Sequence, residues 1–217
     1  MRLSRRFQVF LFLFLVFVWS GAALAYSRLP EVMATHWGLT GEPDGWMPRI
    51  WGVLWGPALL TFMALLYFYL IPAIEPWQKN LRAFWREYVQ AGWGLLIFLS
   101  LMYAHTLAWN LGYTWDVRRV VGVGMALLFS ILARLLVHAR PNWFFGIRTP
   151  WTLSSPWVWQ EVHRRGARTL ALVALLWLLG ALWPAALLVA FAATMVWAAY
   201  LVAYSYWLYR SRMREGT

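Results

Sequence analysis

Three polar side chains in one short stretch have the right types to form a binding site: His36, Glu42 and Asp44, with Trp37 beside the histidine. Imidazole and carboxylate groups are ligands that Zn²⁺ accepts. His105, far along the chain, could join His36 and Asp44 in a polar or metal-binding site. No spacing in the sequence specifies a metal, and a hydrogen-bonded structural role for His105 is the simpler interpretation. We therefore predict neither a metal nor a cofactor.

The sequence lacks the patterns of the common hydrolases. It has no HExxH pair for zinc, no GxSxG turn for a serine nucleophile and no cysteine. Membrane enzymes and proton-coupled carriers place ionisable groups inside the bilayer. Here the carboxylates all lie in loops or at the ends of apolar runs: Glu31, Glu42, Asp44, Glu75, Glu87, Asp116, Glu161 and Glu215. This placement argues against proton-coupled transport and aspartyl proteolysis. The sequence does not decide whether the protein is an enzyme, but it favours a protein without enzymatic activity.

The elements that must position these residues are membrane-spanning helices. The chain is 62% hydrophobic and 12% charged, whereas soluble domains average about 25% charged residues. Apolar runs of about 18 residues or more indicate membrane spans. The predicted spans are Phe7–Tyr26, Ile50–Ile74, Val89–Leu111, Val120–Val137 and a run from Leu170 to Leu208 that Gly180 and Pro184 divide in two. The sequence predicts an all-α integral membrane protein, a six-transmembrane helical bundle, multi-pass in the cell membrane.

The placement of the basic residues predicts the orientation of the bundle. Most Lys and Arg residues precede the first span, follow the sixth, or lie between spans two and three or four and five. Basic loops stay cytoplasmic, so we expect both termini inside, residues 27–49 outside and residues 138–168 inside. The formal charge of +11 then reflects topology and attraction to the lipid bilayer, with no direct binding of nucleic acid. Residues 1–25 contain a signal-peptidase-like Ala-Leu-Ala, but we expect a retained helix.

Local signals predict ordered loops rather than flexible linkers. Pro43, Asp44 and Gly45 suit a turn in which Gly45 adopts a positive φ, giving a compact outer lid. Residues 75–88 predict a short amphipathic helix with Trp77, Leu81, Phe84 and Trp85 towards the lipid. Gly52 and Gly56 allow a close helix contact, within the chain rather than in a dimer. The sequence does not decide whether the protein forms an oligomer.

The inward segment also carries legible signals. Asn142 and Gly146 can turn the chain, Thr149-Pro150 predicts an extended step, and Ser155-Pro156 predicts a helix start. Trp159 and His163 lie four residues apart, and so on one helical face. Arg148 is the only charge in an aromatic-rich loop, so we expect it to have a fixed partner: a helix C-terminus, a phosphate headgroup or a backbone carbonyl.

Two stretches carry a family resemblance. "LPEVMATHWGLTGEPDGWMPR" resembles the short domain of uncharacterised role that commonly precedes the SdpI region in bacterial membrane proteins. The matching positions are Pro30, His36, Trp37, Gly41, Pro43, Asp44 and Gly45. "NWFFGIRTPWTLS", followed by a Trp and a His, is similar to the SdpI family signature. The matching positions are Asn142, Phe144, Phe145, Gly146, Ile147, Arg148, Thr149, Pro150, Trp151, Thr152, Leu153, Ser154, Trp159 and His163.

The resemblance implies two domains and two partners. Residues 1–75 would form an N-terminal two-helix unit, and residues 76–217 an SdpI-like four-helix region. A family member known for immunity resists a secreted peptide toxin and holds an ArsR-type repressor at the membrane. Carried over, the outward residues His36, Trp37, Glu42, Asp44 and His105 would meet the toxin. The inward residues Asn142, Arg148, Thr149, Trp151, Trp159 and His163 would dock the repressor or lipid.

The sequence departs from the family pattern at one place, and two other functions are alternatives. The family tends to have a Gly-Asn pair at the end of span four, where this chain has "ILARLL" at 131–136. A membrane enzyme or small-solute permease using His36, Asp44, His105 and Arg148 is an alternative. A helper subunit that binds a membrane partner without chemistry is a third. The outer loop could also be only a well-capped turn.

Overall fold

Long helices account for most of the structure, a computed structural model that describes residues 3–215. In chain order the elements are α1 Arg5–Tyr26, β1 Val32–Trp37, β2 Pro43–Pro48, α2 Arg49–Ile74, α3 Gln78–Ala83, α4 Trp85–Asn110, α5 Val117–His138, α6 Pro150–Ser154, α7 Pro156–Leu182 and α8 Leu187–Glu215. The remaining residues of the two predicted domains, 1–2 and 216–217, lie outside this description.

The expected bundle is confirmed. Among the described residues, six helices are long and apolar enough to cross a membrane: α1, α2, α4, α5, α7 and α8 with the turn Pro184–Ala186 before it. The long apolar run breaks at Trp183, next to Pro184, as the sequence indicates. The predicted fifth span is continuous with the helix that starts at Pro156, so α7 has 27 residues. The orientation of the termini stays a prediction.

Small residues let the central helices approach closely. Gly122 of α5 faces the backbone of Ala181 on α7, and Gly94 of α4 faces Ile131 on α5. Gly56 of α2 lies directly against the ring of Tyr103 on α4. The prediction that this glycine serves packing within the chain is confirmed.

The segment between α2 and α4, which contains α3, differs from the prediction. Leu81 and Phe84 do not face lipid: each is only 1% exposed and packs in the main core with residues of α2 and α4. Trp77, by contrast, is 39% exposed. The amphipathic pattern is present, but its apolar face closes the end of the bundle, where burial against aromatic side chains replaces contact with lipid.

Residues 27–49, the predicted outer lid, contain a β-hairpin that the turn signals did not predict. β1 and β2 pair antiparallel, with irregular register around His36. The tight turn lies earlier than expected: Gly41 has a φ of +88°, and Gly45, whose φ is not positive, lies within β2. The absence of a side chain at Gly45 instead lets the strand approach the Cβ atom of His36. The expectation of a positive φ at Gly45 is therefore wrong.

Replacing Gly122 by Ala should destabilise the protein, whereas the same change at Gly21 should not. A Cβ atom at Gly122 would lie 2.7 Å from the backbone nitrogen of Ala181, and one at Gly21 would meet nothing within 4 Å. Overpacking costs about 1–3 kcal/mol, while Ala is favoured over Gly in helices by about 0.5–1 kcal/mol. Thermal unfolding in one detergent, followed by circular dichroism, should give a lower Tm for Gly122→Ala only. Equal Tm values would contradict the close contact between α5 and α7.

Candidate functional site

Two irregular segments lie at opposite ends of the bundle. The hairpin end comprises residues 27–49 with the adjoining ends of α4, α5, α7 and α8. The signature end comprises residues 138–155 with the residues that contact them. α5 connects the two ends, and its 22 residues span about 33 Å at 1.5 Å per residue. The two ends therefore form separate sites.

One side chain fastens the hairpin to the bundle. Asn110, at the end of α4, accepts a hydrogen bond from the backbone N–H of Ala34 and donates one to the carbonyl of the same residue, both 2.8 Å long. It also donates to the carbonyl of Thr106. The amide thus pairs with β1 as a neighbouring strand would. Met33, fully buried beside it, packs on Gly52 of α2.

The hairpin tip rests on the start of α5. Gly41 lies against Asp116 and Arg118, where any side chain would collide with both. Asp116 caps α5 and accepts hydrogen bonds from two guanidinium nitrogens of Arg118. Arg118 Nε lies 2.9 Å from Oδ1, and Arg118 Nη2 lies 2.9 Å from Oδ2. These hydrogen bonds lower the pKa of Asp116. The tip is therefore positioned by a charged pair, as a fixed lid requires.

The predicted outward residues divide into two groups. His36 Nδ1 lies 2.5 Å from Asp44 Oδ1, and both side chains are more than half exposed. Glu42 is exposed on the turn. Trp37 points the other way: its ring contacts those of His105 and Trp109, with centroids 5.1 and 5.9 Å apart. Only the second group lies deep beneath the hairpin.

A cavity of about 690 Å³ lies beneath the hairpin. The hairpin borders it on one side, and α4, α5, α7, α8 and the turn between α7 and α8 border it on the others. It is open to the surface where the exposed side chains of Leu39, Leu188 and Phe191 line it. Its lining is mostly apolar and includes Trp37, His105, Val121, Trp177 and Leu188. Three polar atoms of the two lining rings are buried without a hydrogen-bond partner: Trp37 Nε1, His105 Nδ1 and His105 Nε2.

His105 lies among aromatic side chains. The residue is 4% exposed, and its ring contacts those of Trp37 and Trp109. Within residues 3–215 neither ring nitrogen has a hydrogen-bond partner. The expected hydrogen bond is therefore not formed with those residues, and the structural role of His105 stays a prediction.

The metal alternative gains no geometric support within residues 3–215. No group of three His, Cys, Asp or Glu side chains there could hold a metal ion. His36 and His105 both line the cavity. Arg148 lies at the signature end, so it cannot share a site with them.

At the signature end, Asn142 holds a tight turn. Its side chain is fully buried and donates to the carbonyls of Arg140 and Phe145 at 2.8 and 3.0 Å. Its amide oxygen accepts from the backbone N–H groups of Phe144 and Phe145. All of its main hydrogen-bonding capacity is used locally, so Asn142 shapes the loop and is not free to bind a partner.

His163 fixes the next part of the loop. It is 2% exposed and stacks on Trp159 with ring centroids 4.0 Å apart. Because its Nε2 accepts from the backbone N–H of Ile147, its Nδ1 carries the proton and donates to the carbonyl of Trp159 at 2.7 Å. Gly146, with a φ of +104°, leaves room for this imidazole.

The threonines of the signature start the short helix α6. Thr149 and Thr152 form a reciprocal capping box, and the hydroxyl of Thr149 lies 3.0 Å from that of Ser205 on α8. Trp151 packs against Tyr206 of the same helix at 5.0 Å. The backbone of Thr149 is extended, as its position before proline predicts. The predicted helix start at Ser155 is also present.

Arg148 differs from its predicted environment. Its side chain is exposed and makes no hydrogen bond or ion pair with any residue in the described part of the chain. The expected backbone or helix-terminus partner is therefore absent there. Of the inward residues predicted to bind a partner, Arg148 has the most accessible charge.

Two residues that position the sites were missed from the sequence. Glu75, only 2% exposed, accepts backbone hydrogen bonds from Trp77 and Trp143 and so joins the segment between α2 and α4 to the signature. Asn110 fastens the hairpin, as described above. Their partners lie 68 and 76 residues away. The available signal was a lone polar residue at the end of an apolar span.

Comparison with known proteins agrees with this arrangement. Residues 11–61 match the model for a domain of unknown function (DUF1648), and residues 138–205 match that of the SdpI/YfhL protein family. The chain is 26% identical over 147 residues to Immunity protein SdpI of Bacillus subtilis (strain 168), covering 68% of each chain. No solved structure matches. The resemblance to the SdpI family is thus confirmed, and the chain is a multi-pass membrane protein.

Replacing His163 by Phe should lower stability while keeping the stack on Trp159. The substitution removes the acceptor for the N–H of Ile147, and an unpaired buried donor costs about 1–3 kcal/mol. His138→Phe is the matched control, because that side chain is exposed and its ring forms a hydrogen bond only with a carbonyl of its own helix among the described residues. Thermal unfolding should give a lower Tm for the first variant alone. A Tm for His163→Phe equal to that of the control would contradict the assigned role.

Proposed function

We propose that this SdpI-like membrane protein gives its cell immunity to a secreted peptide toxin. The similarity to an immunity protein supports this function. The observation that carries it furthest is the fixed hairpin, fastened by Asn110, over a mostly apolar cavity of about 690 Å³. A fixed lid over an apolar cavity suits a protein that captures a hydrophobic ligand. It does not need a catalytic group, and the cavity lining includes no carboxylate.

The signature end would carry the second part of the function. We propose that it holds a cytoplasmic repressor of the ArsR type and so reports that the toxin is bound. Arg148 and Trp143 are exposed on a loop that Asn142 and His163 hold in place, and Trp157 is exposed at the start of α7. An exposed arginine beside aromatic residues is typical of protein contact surfaces. Folding does not use the charge of Arg148, so a partner is free to bind it.

Relay between the ends requires two arrangements of the bundle with different affinities for the toxin. α4 and α5 contact both ends: they carry Asn110 and Asp116 at one end, and they pack on the signature at the other. A small shift between these helices would therefore reach both surfaces. The enzyme or permease alternative requires Arg148 together with His36 and His105, and the separation of the two ends disfavours it.

Survival and repressor location test both parts in one experiment. A Bacillus subtilis strain without SdpI would express the chain and be challenged with the toxin that SdpI neutralises. A fluorescent fusion would report where the repressor lies. We expect survival with the wild type and with Arg148→Ala, since Arg148 lies far from the hairpin. We expect the repressor at the membrane only with the wild type.

Arg164→Ala is the matched control for the relay. Arg164 is about half exposed and pairs with Glu161 on α7, away from the signature loop. The Arg164→Ala variant should retain the repressor at the membrane. Survival no better than with an empty vector would contradict the immunity function. Repressor retention that is equal in Arg148→Ala and the wild type would contradict the docking surface.

A further inference from the structure

We infer that a groove at the signature end binds an acidic segment of a cytoplasmic protein. Two adjoining cavities of about 410 and 530 Å³ form this groove, and both are lined by Pro141 and Pro156. The inference rests on the proposed function only for the identity of the partner. It goes further by naming the place at which the partner binds and the chemistry of the segment that binds there.

Elements that are distant in the sequence form the walls of the groove. The start of α7 borders both cavities, and α3 contributes Asn80 to one and Ala83 to the other. A hydrogen bond of 2.7 Å from Asn80 Nδ2 to the carbonyl of Pro141 joins α3 to the signature turn. The buried indole of Trp159 donates to the carbonyl of Ala139 at 2.9 Å and so joins α7 to the end of α5. These hydrogen bonds fix the walls, so the groove exists without a bound partner.

The charged side chains that line the groove are all positive. Lys79 lines one cavity and Arg140 the other, and both side chains are exposed. Neither charged group forms a hydrogen bond or an ion pair with any residue from 3 to 215. Of the described residues that line the two cavities, none carries a carboxylate. A segment with carboxylates would therefore meet two unpaired cations and no like charge.

The groove also presents exposed aromatic and apolar side chains. Trp77 is 39% exposed, Leu153 37% and Trp157 44%, and each lines one of the two cavities. Aromatic residues and Arg are enriched in protein contact surfaces. Trp157 belongs to the docking surface proposed above, so the groove extends that surface to α3. The segment that fits the groove therefore combines carboxylates with apolar side chains.

The distance between the groove and the hydrocarbon favours a protein over a lipid. The charged residues Glu161, Arg164 and Arg165 of α7 are at least partly exposed, so the hydrocarbon begins beyond them. Pro156 precedes Arg165 by nine residues, about 14 Å along the helix at 1.5 Å per residue. The headgroup layer is about 5–8 Å thick on each face. For a helix nearly perpendicular to the membrane, the groove at Pro156 therefore lies beyond the lipid phosphates, in water.

Binding of two probes to the full-length protein in phosphatidylcholine nanodiscs tests the groove. The probes are a fluorescent peptide that alternates Glu with Leu and the purified ArsR-type repressor. Lys79→Ala and Arg140→Ala should each weaken binding of both probes by roughly two- to fivefold, the range expected for loss of one exposed ion pair. Arg86→Ala is the matched control, because Arg86 is exposed at the same end but lines neither cavity. The control should leave both Kd values unchanged.

A second pair of variants tests the space itself. Ala83→Trp would fill one cavity from an exposed position on α3, whereas Ala73→Trp, exposed at the end of α2, lines neither cavity. We expect loss of binding with the first and not with the second. An unchanged Kd in Ala83→Trp would overturn the inference. Equal Kd values in Lys79→Ala, Arg140→Ala and Arg86→Ala would also overturn it.

The two probes separate this inference from the proposed function. Binding of the peptide in the groove without binding of the repressor would support the inference and contradict the proposed relay. Binding of the repressor that no groove variant weakens would overturn the inference and leave the relay intact. Failure of both probes to bind would contradict both.

Photo-crosslinking in living cells identifies the occupant. A benzophenone amino acid at Leu153 should capture the repressor, and the same group at Leu24, an exposed position on α1, should not. Adducts of Leu153 with lipid alone would overturn the inference, because they would place the groove within the membrane.

Discussion

The bilayer denies water to the backbone, and the rest of the structure depends on this constraint. Every segment within the hydrocarbon must satisfy its own N–H and C=O groups, so the spans are helices. Irregular backbone is confined to the two ends. At each end one amide side chain supplies the missing partners: the half-buried Asn110 pairs with Ala34 of the hairpin, and the buried Asn142 pairs with the turn that follows α5. The functional surfaces exist because these two side chains allow ordered backbone where helices stop.

The helices do not contribute equally. In the most apolar stretch of α1 and of α8 only 11% is buried within the protein, so these two helices mostly face lipid. α7 is buried most, and it meets α5 at the glycine contact between Gly122 and Ala181. α4, α5 and α7 thus form a connected centre, in which α5 contacts α4 at Gly94 and α7 at Gly122. The cavity and the signature loop both lie against this centre, which is how binding at one end could alter the other.

Local sequence signals predicted much of the fold. Apolar length predicted six spans, Pro184 predicted the break between α7 and α8, and Ser155-Pro156 predicted the start of α7, because each depends on residues close in sequence. The hairpin was missed because its strands are short and rich in turn-forming residues. One of them, β1, also depends on hydrogen bonds from Asn110, which lies far away in the sequence. The buried roles of Glu75 and His105 depend on distant segments, so no local pattern reveals them. The division into two domains at residues 75 and 76 stays a prediction.

Accessibility of the two ends tests the central claim, that the hairpin and the signature loop lie on opposite faces of the membrane. The chain has no cysteine, so single substitutions give clean labels. Thr40→Cys places a thiol on the exposed hairpin turn, and Ser154→Cys places one at the exposed end of α6. A membrane-impermeant maleimide should label the first variant in intact cells and the second only after the membrane is opened. Labelling of both thiols in intact cells would contradict the account.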